Sequence, residues 1–249
     1  MKLSFGGPIK RHMQQNLIAV IPASPRLTLD LVGDFTCPWS FLGTRRVARA
    51  LEAVQGLAVP PLWRWHGFRL ARPEASVSNA WSAHLAARLP PGVSVQMAQG
   101  ALTEAGRPLG IEFDFDSINA VPDTTLAHVL AAMAREQDRH GDAVDAIFRA
   151  YFEQGIDVGS VPQLSRIGAS VGLSSEALMQ FESSAAGTEA VAAEHARLTA
   201  LGVTNVPNLL LNGAVLVPGS AEVATYVQAL DHALFPTAPG TVQDRRLLN

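Results

Sequence analysis

Hydrophobic positions along this chain change their spacing twice, and the changes divide it into parts. Leu27, Leu29, Leu31 and Val32 lead to Gly33, an alternation that becomes continuous as in a strand buried on both faces. After the polar loop from Asp34 the spacing becomes helical. Leu42, Val47, Ala50, Leu51 and Val54 recur on one face, with Arg45, Arg46 and Arg49 expected to meet solvent on another. Leu62, Trp63 and Trp65 then mark a second strand, Pro61 to His66, after a Pro-Pro break.

From about 72 to 185 the chain is rich in alanine, and the pattern stays helical. Helices are expected at Asn79 to Leu89, Val95 to Ala105, Thr124 to His140, Gly141 to Gln154, Val161 to Val171 and Ser175 to Phe181. Asp123 is read as the N-cap of the third, and a longer helix, Ala185 to Leu201, stops at Gly202. The last third returns to strands, Asn208 to Asn212 and Ala214 to Val217, joined by the hairpin signal Asn212-Gly213. Ser220 is placed to cap a closing helix that runs to about Leu234. The order implies an α/β fold with a discontinuous sheet domain, 26–71 and 186–235, and an all-helical insertion, 72–185. Loose termini are expected at 1–25 and 236–249.

Composition narrows the function. The 249 residues carry 19 Lys+Arg against 22 Asp+Glu, a net charge of −3, and 16% charged residues. Nucleic acids and anionic membranes call for a basic face, so neither is an expected partner. No apolar run approaches the roughly 18 residues of a membrane span. Lys10-Arg11-His12 precedes the apolar run Leu17 to Ile21, which is shorter than the roughly 7 to 15 residues of a secretory core, and the expected compartment is the cytoplasm. The 7 His and the acidic residues show no metal-ligand spacing, so no metal is expected. His66 and His128 are read as hydrogen-bonded structural residues.

The cysteine count carries the most chemistry. With one Cys, the chain has no internal disulfide and no all-Cys zinc site. That Cys37 precedes Pro38, a residue suited to a helix's first turn, so the thiol is expected at a helix N-terminus. There unpaired N–H groups favour the anion, and the expected thiol pKa is well below about 8.5. Ser40, one turn on, is a candidate donor to the thiolate, Trp39 a candidate platform for an apolar substrate, and Asp34 a turn residue that satisfies loop N–H groups.

Asp34-Phe35-Thr36-Cys37-Pro38-Trp39-Ser40-Phe41-Leu42-Gly43, followed by Arg45-Arg46, resembles the active-site segment of DsbA-like thioredoxin-fold oxidoreductases, particularly the FrnE-like branch. The likeness continues through Trp63 to Pro73, Gly110 to Phe115, Pro122 to Thr124, His128, Phe148 to Glu153, and Leu201-Gly-Val-Thr-Asn-Val-Pro-Asn208 to Gly219, over about 27 to 234. It implies a thioredoxin-like domain with a helical insertion, a cis peptide between Val206 and Pro207 facing Cys37, and substrate docking on Pro38, Trp39, Val206 and Pro207. It implies as partners a disulfide-containing peptide or protein, or glutathione with a small apolar substrate, and a homodimer as a candidate assembly. No tightly bound cofactor is implied, with glutathione a candidate co-substrate. The departure from the family is Ser40, where FrnE-like enzymes carry a second cysteine. A mixed disulfide on Cys37 then needs an outside thiol for its resolution. The related hydroxychromene carboxylate isomerases and kappa-class glutathione transferases, which activate glutathione with a serine, are the alternative. Ala221 stands where that branch tends to hold the glutathione amine with an Asp. A second alternative is a non-catalytic binding module on a degenerate thioredoxin fold.

Overall fold

A computed structural model describes residues 27–54, 61–70, 81–183 and 186–235; the expected loose ends, 1–25 and 236–249, lie outside them. β1 (Thr28–Gly33) leads into α1 (Pro38–Ala53) and returns as β2 (Leu62–Gly67). The helices α2 (Trp81–Ala86), α3 (Val95–Gly106), α4 (Thr125–Glu136), α5 (His140–Phe152), α6 (Val161–Ser170), α7 (Ser175–Ser183) and α8 (Ala186–Ala200) follow. β3 (Asn208–Leu211), β4 (Ala214–Pro218) and α9 (Val223–Leu234) complete the order.

The sheet runs β2-β1-β3-β4. β1 and β2 are parallel, with Thr28 opposite Leu62 and Gly33 opposite Gly67, and the crossover that parallel pairing demands is α1. β3 lies antiparallel to β1 on its other side, and β4 antiparallel to β3. The turn Asn212-Gly213 has φ of 50° and 82°, the left-handed pair a two-residue hairpin needs. This is an α/β fold with helices inserted between β2 and β3, as the element pattern implied, and a thioredoxin-like one, as the resemblance implied.

An aromatic column joins the insertion to the sheet. Phe35 and Phe41 lie with ring centroids 4.9 and 5.0 Å from Phe148 of α5, and Phe41 is fully buried on α1. Burying such side chains contributes roughly 1.5–3 kcal/mol each. The start of α1 is therefore held by the insertion as well as by its own sheet.

Four expectations change. The helix expected from Thr124 to His140 ends at Glu136, where the chain turns through Asp138 at φ 57°. His140 instead opens α5, and its ring is the reason: Nδ1 bonds the carbonyl of Ala131 at 2.9 Å while Nε2 accepts the Trp65 N–H at 2.6 Å. An outward N–H of edge strand β2 is thereby satisfied. Asp123 lies one residue before the N-cap, Thr124, yet its carboxylate still takes the Thr125 N–H at 2.8 Å. Ser220 does not cap α9, which begins after Glu222; its hydroxyl accepts from Arg46 at 3.0 Å. Arg46, expected in solvent, is buried on α1 and also pairs with Glu222 at 2.6 Å.

Candidate functional site

Cys37 is the N-cap residue of α1, in extended conformation (φ −99°, ψ 110°), with Pro38 beginning the helix. No side chain caps the helix. The Cys37 N–H donates to the Asp34 carbonyl at 3.0 Å, and the N–H groups of Ser40 and Phe41 donate to the Cys37 carbonyl at 3.0 and 3.3 Å. The thiol points across to the other half of the domain and donates to the Val206 carbonyl, with a sulfur–oxygen distance of 3.8 Å. The peptide from Val206 to Pro207 is cis. Pro207 packs over α1 at Gly43, where a Cβ would lie in ordinary contact, 3.4 Å from the proline Cγ. Of the site residues expected from the sequence, Pro38 and Ser40 are buried around Cys37, and Trp39 is half-buried beside it. The fold brings Val206 to the sulfur from 169 residues away.

The thiol is less accessible and less acidic than its helix position implies. Only 3% of Cys37 is exposed. Burial pushes the thiol up to about 11; the Ser40 hydroxyl and the N–H groups of Ser40 and Trp39 pull it down, and the Asp34 carboxylate pushes it up again. The expectation of a depressed pKa is therefore reversed, because desolvation of the sulfur outweighs the donors of the first helical turn.

Asp34, fully buried, holds the loop together as expected. Its Oδ1 accepts the Thr36 N–H at 3.2 Å, and its Oδ2 accepts the Leu70 N–H at 2.5 Å. His128 lies behind it, Nε2 3.9 Å from Asp34 Oδ1. Trp65 Nε1 donates to His128 Nδ1 at 3.2 Å, which assigns the ring proton to Nε2 and directs it toward the carboxylate. Burial holds the imidazole at about 4, so it is neutral. Sequence reasoning had His128 as a structural residue, and its bond to Trp65 fits that; its approach to Asp34 joins residues 94 positions apart and left no signal in spacing.

Several buried polar atoms have no hydrogen-bond partner among the described residues: Thr36 Oγ1, Ser40 Oγ, Trp81 Nε1, His84 Nε2 and His128 Nε2. The Ser40 hydroxyl thus acts on the sulfur without an ordinary hydrogen-bond alignment. Arg88, in the turn after α2, was also missed. Its Nη1 donates to the His84 carbonyl at 2.7 Å and its Nη2 to the Leu70 carbonyl at 3.2 Å.

A family model, the DSBA-like thioredoxin domain, matches residues 28–231, from the first residue of β1 into α9. The chain belongs to that family, one of thiol oxidoreductases and isomerases. A probable DsbA oxidoreductase from Streptomyces coelicolor superposes with a TM-score of 0.73 at 24% identity, covering 88% of this chain and 95% of that one. The cytosolic disulfide reductase DsbM from Pseudomonas aeruginosa, solved with GSH, gives 0.58 at 21% identity, over 83% of this chain and 98% of its own. In sequence the chain is 24% identical over 205 residues to the uncharacterized protein YwbO of Bacillus subtilis (strain 168), 81% of this chain and 94% of that protein.

Proposed function

We propose that the chain is a single-cysteine thiol-disulfide oxidoreductase acting through Cys37. The observation that carries this reading is the position of the one thiol, at the N-cap of α1 with its sulfur turned to the Val206 carbonyl. The Cys37 thiolate attacks one sulfur of a substrate disulfide, forms a mixed disulfide and releases the other sulfur as a thiolate. With Ser40 in place of a resolving cysteine, an outside thiol such as glutathione attacks that mixed disulfide, regenerates Cys37 and leaves with the substrate sulfur. Ser40 donates toward the thiolate. Trp39 and Pro38 flank the entering substrate, and the Val206 backbone beside Pro207 offers hydrogen-bonding groups to an extended peptide. The substrates of this reading are disulfide-containing peptides or proteins and glutathione, and the compartment is the cytoplasm. Among the described residues no helix is long and apolar enough to cross a membrane.

Incubation with oxidised glutathione followed by intact-mass measurement tests it. The expected product carries one glutathionyl group, reversed by reduced glutathione and absent in Cys37→Ser. Saturable glutathione binding that persists in Cys37→Ser, with no mixed disulfide in the parent protein, would select the transferase or isomerase alternative. With the thiol near 11, alkylation by iodoacetamide should keep accelerating into the alkaline range. A plateau below about pH 8.5 would show that the helix terminus prevails over burial.

A further inference from the structure

We propose that Arg88 is a specificity residue of the Cys37 site, holding a carboxylate of the incoming thiol or disulfide, so that small acidic thiols are the preferred exchange partners. The proposal rests on the thiol-exchange reading above and adds the residue that selects among its substrates, favouring acidic ones.

Arg88 is tied to the catalytic loop by geometry. Its Nη2 bonds the carbonyl of Leu70, and the N–H of the same Leu70 is held by Asp34, whose own carbonyl receives the Cys37 N–H. Leu70 also packs in the cluster that includes Val206, the residue facing the sulfur. One residue thus links the guanidinium, the loop carboxylate and the docking backbone. Partial burial lowers the Arg88 guanidinium, while Asp34 and Cys37, within electrostatic reach of it, raise it.

The guanidinium is available. Most arginines of the described residues have a carboxylate within 4 Å, among them Arg45, Arg46, Arg64, Arg69 and Arg197. Arg88 is exposed and bonds only two backbone carbonyls among the described residues, leaving most of its five N–H donors unengaged. Asp34 accepts the backbone N–H groups of Thr36 and Leu70, and no ion pair joins it to Arg88 among the described residues. On the sulfur side, Ser40 contributes a fully buried hydroxyl with no partner. A cation with no carboxylate partner among the described residues, within electrostatic reach of the thiol, fits a ligand that carries a sulfur and an acid group. A planar guanidinium takes a carboxylate by charge-assisted hydrogen bonds, and these supply specificity as well as attraction.

The test compares two chromogenic disulfides, 5,5′-dithiobis(2-nitrobenzoate), which carries carboxylates, and the neutral 2,2′-dithiodipyridine. Arg88→Gln is expected to slow the anionic probe about tenfold and leave the neutral one within about twofold, since a charge-assisted bond is lost and the thiol is untouched. Arg88→Lys should restore most of the anionic rate, and about 0.5 M salt should erase the difference between parent and Arg88→Gln. Equal slowing of both probes, or of neither, overturns the proposal while leaving thiol exchange intact. If Cys37 is inert to both, thiol exchange fails, and calorimetric binding of S-methylglutathione then decides on Arg88. About tenfold weaker binding in Arg88→Gln supports it, and unchanged binding overturns it.

Discussion

Two polar clusters border β1, and they are built on opposite terms. At its middle, Asp30 accepts from Arg64 at 2.5 and 2.9 Å and meets His66 Nε2 at 3.0 Å. The other His66 nitrogen meets Glu194 of α8 at 2.5 Å, and Glu194 takes Arg197 at 2.7 and 2.8 Å. Every charge in this chain of contacts has an opposite neighbour, and the cluster clamps β1 and β2 to α8. At the end of β1, around Cys37, the polar atoms are buried and several have no partner among the described residues: Thr36 Oγ1, Ser40 Oγ and His128 Nε2. A fully paired cluster contributes to stability and offers nothing to a substrate. A half-satisfied one is kept at a cost in stability where a ligand or a reacting atom completes it.

The largest expected effect breaks the clamp. Asp30 is buried, and the hydrogen bonds from His66 and Arg64 overcome the cost of its burial to hold its carboxyl at about 2. Asp30→Ala leaves Arg64 and His66 side by side with no carboxylate between them, and should remove about 3 kcal/mol from the unfolding free energy in urea. The reaction of Cys37 with a neutral disulfide should stay within about twofold. A loss below about 1 kcal/mol, or a collapse in thiol reactivity, would erase the distinction between the two clusters.

The second effect separates them by pH. Burial holds His128 and His140 at about 4, below the unfolded value near 6.5. In the folded protein both stay neutral while the unfolded chain takes up protons, so their linkage removes stability as pH falls from about 6.5 to about 4. Two and a half units correspond to at most about 3 kcal/mol for each group. The clamp behaves differently. Burial lowers His66, but Asp30 and Glu194 overcome that and raise it, so its contribution is complete below 6.5 and fades as pH climbs through the raised value. The low carboxyl of Asp30 keeps its contribution above about 4 and loses it only as pH falls toward 2. Urea midpoints between pH 7 and 4 should therefore decline. His128→Gln, which keeps an acceptor for Trp65 Nε1, should flatten that decline by about one proton. An unchanged slope would mean that His128 titrates alike in both states.

The fold was readable because periodicity reports local burial. The strand at Leu29 and Leu31, the helix carrying Val47 and Ala50, and the Asn212-Gly213 hairpin each state their structure within a few residues. The Cys-Pro step likewise located the helix start that presents the thiol. What stayed hidden depends on pairs distant in sequence. His140 reads as the last residue of a long helix until the free N–H of Trp65 is known to lie beside it. Arg46 looks solvated until α9 brings Glu222 over it. The sign of the Cys37 shift was missed for the same reason, since the helix N-terminus is local while the burial that opposes it comes from the surrounding fold.

The smallest effect is the sharpest test of the comparison, because its sign is opposite to that of an ordinary core substitution. Thr36 and Ser40 are both fully buried with unpartnered hydroxyls. Thr36→Val and Ser40→Ala each remove a group that lost its water on folding and gained no partner, so each should raise the unfolding free energy by about 1 kcal/mol. The two variants should then part company in chemistry. Ser40 pulls the Cys37 thiol down, and its loss should raise the thiol further above 11 and slow alkylation at any fixed pH below that value. The Thr36 hydroxyl has no such part, and Thr36→Val should alkylate at the parent rate. If both variants lose stability, these hydroxyls are satisfied in solution, and the contrast between a paired clamp and an unpaired site no longer holds.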